Sequence, residues 1–361
     1  MEYKFYNVVG LMTGTSMDGI DISLVKTNGI ELIPIDSFYY KFNKSQFDKL
    51  FFFFKTRNEL ISNSKKKSEA DNYVSKLHIQ ALNRFKNKNY EIIGLHGQTI
   101  HHSPQKRSVQ LGNPYLLSDY FKKKIVYDFR KNDLINGGQG APLAPIYHKY
   151  LIEKNNLELP CVFINIGGIS NLTYWDGNQL IGFDVGPGNC LLDDFIKIKL
   201  NSNFDFNGNL ASKGEINNGL VVSFMKKKYF KTLPPKSLDK NDFSKFFNKF
   251  LGNNLSVNDG LATLSEITIK CIINSFNCLP RKPVSMVVCG GGFKNKFLIN
   301  RLQFFFKKPI INPKFINIDI DFVESELIAF IAARTINKLP ITFPKTTGVS
   351  KPLTGGVLIK K

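Results

Sequence analysis

The stretch GLMTGTSMDGIDISLV, residues 10–25, sets two carboxylates, Asp18 and Asp21, beside a turn of small and hydroxylated residues between two strand-like apolar runs. Such a turn can aim several backbone N–H groups and the hydroxyls of Thr15 and Ser16 at one anion, because an amide-lined concavity carries partial positive charge. The same residues also suit an ordinary hairpin, since Asp-Gly is a common turn dipeptide. Two further glycine turns favour a ligand. Gly167-Gly168 follow the apolar run CVFINI, and Gly290-Gly291-Gly292 follow MVVC and open a helical stretch, where N–H groups gather at the positive end of a helix dipole. Three such turns on one chain point to a polyphosphate nucleotide. Neither a P-loop pattern nor a Gly-x-Gly-x-x-Gly after the first strand is present, so a P-loop enzyme and a simple Rossmann dehydrogenase are disfavoured.

GFDVGPGNCLLDDF carries Asp184 at the end of an apolar strand, before the rigid GPGN. A carboxylate on backbone that cannot drift suits a general base, which has to meet a substrate proton at roughly 2.6–3.2 Å. A plain turn cap is the alternative. Asp193 and Asp194, in the helix that follows, read as a solvated or capping face. GLHGQTIHHSP groups His96, Gln98, His101 and His102, but alternation along a strand sends His101 and His102 to opposite faces, and no Glu or Cys nearby completes a zinc set. Contacts to sugar hydroxyls suit His96 and Gln98 better. In YDFRKND, Arg130 offers a planar fork either for a substrate carboxylate or for a salt bridge within the fold. Glu324 and Glu326 open the helix DFVESELIAFIAAR, where acidic residues complement the dipole, and the pattern by itself gives neither a role.

The elements that position these groups follow from hydrophobic alternation. YNVVGLMTG, IDISLVKTNG and ELIPIDSFYYKF read as an antiparallel meander, residues 44 to 88 as helical, and EIIGLHGQTI as a return to strand. From Asn165 the layout starts over, with three strand-like runs in CVFINIGGISNLTYWDGNQLIGFDVG followed by helices. Two β-rich openings, each followed by helices, predict two α/β lobes related by topology rather than by a sequence repeat. A chain of 361 residues, 43% hydrophobic, is long enough to build both cores.

A net charge of +20 would ordinarily suggest a polyanionic partner. The lysine triplets at 65–67, 122–124 and 226–228 lie far apart, so neither nucleic acid nor a membrane surface is expected. Five scattered cysteines without Cys-x-x-Cys spacing read as reduced thiols. With no signal-peptide layout at the start and no apolar run of about 20 residues, a cytoplasmic location is expected.

Taken in order, MTGTSMDGID, GLHGQTIHHSP, QLGNP, DFRKND, GGQGAPLAP, NIGGISNL, FDVGPGN, PPKS, DGLATLSE, VCGGGFKNKFL and TTGVSKP resemble the motif set of the anhydro-N-acetylmuramic acid kinase family, within the superfamily of sugar kinases, actin and heat-shock ATPases. The resemblance runs essentially end to end. It implies an α/β architecture of two ribonuclease-H-like lobes with an inter-lobe active-site cleft closing over Mg-ATP: an N-terminal lobe of 1–135 plus 340–361, and a C-terminal lobe of 136–339. It implies that ATP and water open the anhydro bridge of 1,6-anhydro-N-acetylmuramic acid to give the 6-phosphate for peptidoglycan recycling, and that the enzyme is a homodimer.

Carried over position by position, Gly14, Thr15, Ser16, Met17, Asp18, Gly19, Ile20 and Asp21 resemble the ATP phosphate loop, with Mg²⁺ at Asp18 or Asp21, directly or through water. Asp184 corresponds to the general base. Gly290, Gly291 and Gly292 resemble the nucleotide-side glycine turn, which Gly167 and Gly168 would join. Glu324 matches a substrate-side glutamate, beside which His96, Gln98 and Arg130 are expected, from their residue types alone, as the other substrate contacts. Beside Glu324 the chain departs from the family pattern, with Ser325 in place of the usual Ala and Ile328 in place of the usual Phe. Met17 in place of Leu and Thr13 in place of Ser remove no donor from the loop.

Overall fold

The structure, a computed structural model, describes residues 3–14 and 16–360. They form two compact units, Met1–Tyr150 with Asp321–Lys361, and Leu151–Ile320.

In the first unit, β1 (Tyr6–Thr13), β2 (Gly19–Thr27) and β3 (Leu32–Lys41) form an antiparallel meander. Next to β1, β4 (Ile92–Ser103) runs parallel and carries β5 (Arg107–Leu111) on its far end, while β6 (Lys124–Tyr127) runs parallel to β4. The short Val357–Ile359 strand closes that edge antiparallel to β6. β1 and the first half of β4 are apolar without alternation, because helices cover the sheet on both sides.

One cover is the Ser64–Arg84 helix. Asn63 caps its N-terminus by accepting from the Lys66 N–H, and it buries Ala70, Val74, Leu77 and Ala81 at helical spacing. The other is the Val323–Ile336 helix, which packs on β1, β2 and β4. Gly10 and Gly94 are register partners on β1 and β4. A Cβ at Gly10 would stand 2.0 Å from the Ser325 carbonyl oxygen, and one at Gly94 would stand 2.9 Å from that of Ile328. These two glycines let the helix backbone touch the sheet.

The second unit repeats the plan: β7 (Cys161–Ile166), β8 (Ile169–Trp175) and β9 (Leu180–Pro187) form a meander, and β10 (Ser285–Cys289) returns parallel to β7. The orders β3-β2-β1-β4 and β9-β8-β7-β10 are equivalent. Both units are thus ribonuclease-H-like α/β layers, the class that the motifs implied. The second core is aromatic, with Tyr174, Phe183, Phe195, Phe224 and Phe250 all 0–1% exposed, and the Val257–Ser275 helix, capped by Ser256, lies through it. Among the described residues, no helix is long and apolar enough to cross a membrane.

Candidate active site

In the first unit, the turn between β1 and β2 is closed by the Met17 N–H donating to the Gly14 carbonyl at 3.2 Å. Met17 takes a left-handed φ of 57° while its side chain is 4% exposed, so the turn is pinned by an apolar anchor. Ser16 Oγ donates to Asp18 Oδ1 at 2.5 Å, and Gln98 Nε2 donates to the Gly14 carbonyl at 3.2 Å. Thr15 lies outside the described residues. Gly19 has a structural reason to be glycine, since a Cβ there would enter the Tyr39 ring at 2.3 Å. Ile20 is buried in the core behind the turn.

Asp21, on β2 opposite Met12, is half-buried. Burial first, and then the charges of Glu324, Asp18 and Asp321, push its pKa up from 3.8 to about 7. The protein packed around Glu324 raises its pKa too, although its side chain is open to solvent, and Arg130 opposes that rise. Sequence motifs 300 residues apart therefore meet in one electrostatic cluster. Its helix is tied down by Ser325, whose Oγ donates to the Phe322 carbonyl at 3.0 Å and meets Ser23 Oγ at 2.6 Å. The departure from Ala at this position is thus a satisfied buried hydroxyl pair. Glu326 is engaged elsewhere, accepting from the Tyr147 hydroxyl at 2.6 Å.

Arg130 is positioned rather than loose. Its Nη1 donates to the Gly140 carbonyl at 2.8 Å and its Nη2 donates to His96 Nε2 at 3.1 Å. His96 Nδ1 donates to the Gly97 carbonyl at 2.9 Å. Both imidazole nitrogens are therefore used inside the fold, and burial, followed by Arg130, lowers the pKa of His96 to about 3. His96, expected from the sequence to contact the sugar, is a buried imidazole whose two nitrogens meet the Gly97 carbonyl and Arg130. Gln98 is 0% exposed and holds the Gly14 turn instead of facing outward. Asp133 is structural, accepting from the Gly140 N–H at 2.7 Å and the Thr347 hydroxyl at 2.5 Å.

The raised pKa of Asp21 has a testable consequence. Between about pH 4 and about pH 7 the folded chain holds a proton that the unfolded chain has released, so this group's contribution to stability declines as pH rises through that window. Without divalent cations, the melting temperature of Asp21→Asn should therefore fall less from pH 5 to pH 7.5 than that of the parent; parallel slopes would remove the perturbed carboxyl.

In the second unit, Asp184 lies on β9 and is fixed by the loop at 229–238. Its N–H donates to the Lys236 carbonyl at 3.2 Å, its carbonyl accepts from the Tyr229 hydroxyl, and its Oδ2 accepts from the Leu238 N–H at 2.9 Å. Lys236 is buried, and its Nζ donates to the Tyr229 and Thr232 carbonyls at 3.2 and 2.8 Å. It stands 4.6 Å from the Tyr229 ring centroid. Tyr229 and Lys236 have no periodicity signal that marks them; only the PPKS motif touches the loop. Asp193 is half-buried, and burial with its neighbour Asp194 pushes its pKa up to about 7, while Asp194 pairs with Lys240 at 2.8 Å on the surface.

Both glycine turns of this unit end neighbouring parallel strands, β7 and β10, at their carboxyl ends, where α/β sheets hold ligands. The Gly168 carbonyl accepts from the Gly188 and Cys190 N–H groups at 2.9 and 3.2 Å, and the Gly167 carbonyl accepts from Asn189 N–H at 2.7 Å. Gly290 has a left-handed φ of 79°, and a Cβ on it would stand 2.2 Å from Asn165 Oδ1. Gly292 would drive a Cβ to 2.3 Å from the Ile166 side chain, whereas Gly291 leaves more room, its nearest neighbour being Asn189 Nδ2 at 3.5 Å. The structure brings Gly167, Gly168 and Gly290–Gly292 together around the end of β7.

The model of the family described as Anhydro-N-acetylmuramic acid kinase matches residues 6–361. Curated relatives carry the same description: the protein from Zymomonas mobilis is 38% identical, covering 96% of this chain and 98% of its own. The Pelagibacter ubique protein is 38% identical, covering 99% of each chain, and that of Bradyrhizobium diazoefficiens is 35% identical, covering 98% of each.

Proposed function

The chain belongs to the anhydro-N-acetylmuramic acid kinase family, and from that premise we propose how its residues share the work of an ATP-dependent kinase acting on 1,6-anhydro-N-acetylmuramic acid in cell-wall recycling. The observation that carries the catalytic assignment is the triple fixation of Asp184, at its N–H, its carbonyl and one carboxylate oxygen. A base held this way needs no reorganisation to meet its proton.

Asp184 takes a proton from water as the water oxygen bonds to the anomeric carbon. The bridge bond breaks, its electron pair stays on O6, and O6 accepts the γ-phosphoryl group as ADP leaves. The Gly14–Asp21 turn, Gly167-Gly168 and Gly290–Gly292 bind phosphates through backbone N–H groups, and phosphoryl transfer asks for little beyond such positioning and charge neutralisation. Arg130, aimed by His96, pairs with the lactyl carboxylate that distinguishes a muramic acid, and Glu324 faces the sugar.

Asp21 and Asp18 suit a hard divalent cation: both are oxygen donors, and their mutual repulsion with Glu324 is what a cation relieves. Among the described residues no three such side chains converge on one metal position. Mg²⁺ would therefore be shared between one or two carboxylates and phosphate oxygens, neutralising charge on the transferred group. A cytoplasmic homodimer completes the proposal.

In ¹⁸O-water, ADP release should require the anhydro sugar, and the label should appear in the anomeric hydroxyl of the sugar phosphate. Label in the phosphate, or equal ADP release with N-acetylglucosamine, would refute the assignment.

A further inference from the structure

Asn165 on β7, Asn171 on β8 and Asp184 on β9 are successive register partners, so three polar side chains form one row across the same face of the second sheet. All three are half-buried, whereas Ile164, Ile166, Ser170 and Leu172, their neighbours on β7 and β8, are buried. Asn171 Oδ1 is buried and has no hydrogen-bond partner among the described residues. A buried acceptor without a donor is costly and calls for an explanation. The register supplies a second observation. A shift between Ser170 and Asn171 sets Ser170 against Gly186 and Asn171 against Asp184, leaving Val185 as the extra residue on β9. Bulges of this kind gather beside active sites, where they re-aim a side chain.

Directly opposed side chains on an antiparallel pair have Cβ atoms about 4.5–5.5 Å apart. One water oxygen spans such a gap with a hydrogen bond to each carboxyl or amide oxygen. We propose that Asn171 is a second contact for the attacking water: Asp184 removes one proton while Asn171 Oδ1 accepts a hydrogen bond from the other. The first proton passes to Asp184 as the oxygen bonds to the anomeric carbon. The second stays on that oxygen, becomes the proton of the anomeric hydroxyl, and fixes the lone pair that attacks. The electron pair of the broken bridge goes to O6, which bonds to the γ-phosphorus with ADP as leaving group. This inference rests on Asp184 being the base.

Asn171→Ala should lower kcat about 10- to 100-fold, the effect of one lost orienting hydrogen bond, with KM for ATP and for the anhydro sugar within about threefold of the parent. Asn171→Asp keeps an acceptor but places a second carboxylate opposite Asp184. Like charge raises the pKa of the base, so the acid limb of the kcat profile should move up by about one unit or more, with activity recovering at high pH. Melting temperatures within a few degrees of the parent confirm the fold, and the Asp variant carries the test if the Ala variant does not fold. Normal kcat in Asn171→Ala, a defect confined to KM for ATP, or an unmoved acid limb in Asn171→Asp would each overturn the proposal. Asp184→Asn, run in parallel, separates the two claims. If it turns over normally, the base assignment fails; if it is inactive while Asn171→Ala is normal, only the role of Asn171 fails.

Discussion

Asp184→Asn should lose about 2 to 4 orders of magnitude in turnover while still binding ATP, the range of a missing general base. That corresponds to roughly 3–5.5 kcal/mol of transition-state stabilisation. The substitution is nearly isosteric, and an Asn oxygen can still accept from the Leu238 N–H that holds Oδ2 at 2.9 Å. The loop at 229–238 keeps its other two bonds to the backbone of this residue, so the geometry survives while the proton acceptor does not. ATP affinity should change little because Gly167-Gly168 and Gly290–Gly292 are built from the ends of β7 and β10, independently of this carboxylate. Nucleotide titration together with a coupled ADP assay checks both halves. Turnover within a few-fold of the parent would return Asp184 to a turn cap.

Gly10→Val should be the most damaging single change in the first unit, although it touches no proposed ligand. Its Cβ would stand 2.0 Å from the Ser325 carbonyl oxygen and 2.7 Å from the Ala329 nitrogen, both backbone atoms that cannot rotate away. The Val323–Ile336 helix would have to lift from β1. Overpacking of this kind costs about 1–3 kcal/mol or more, or a fall of roughly 2–12 °C in melting temperature for a unit of this size. Lifting the helix also carries Glu324 away from Asp21, so the pKa of Asp21 should drop toward the ordinary carboxylate range. Thermal melting, with the pH dependence described for Asp21, reports both effects. A stable Gly10→Val protein would mean that the helix does not rest on β1 as described.

Much of the local structure was legible in residue types. Glycine turns after strands and a turn rich in hydroxyls each follow from local chemistry, and the ordered motifs carried the family, whereas Asp184, expected at the end of its strand, lies inside β9 three residues before Pro187. The assignments of His96 and Gln98 were less legible, because a polar side chain on a strand looks the same whether it faces a ligand or a neighbouring loop. In the fold, the Gly97 carbonyl and Arg130 occupy the imidazole, and Gln98 turns to Gly14. Glu324 and Glu326 were equally ambiguous in the sequence; Tyr147 takes the second of them.

What the sequence determined by itself was the alternation of strands and turns and the two β-rich openings, because each rests on contacts within a few residues. Only the tertiary structure decided which carboxylates share a field, why Gly10 and Gly94 are glycine inside strands, and that Asn171 stands opposite Asp184. Those facts depend on register and on a helix returning to the first sheet after 170 residues of the second unit. Long-range packing of that kind leaves no periodic trace in the chain, since the partners are chosen by the space between backbones rather than by their neighbours in sequence.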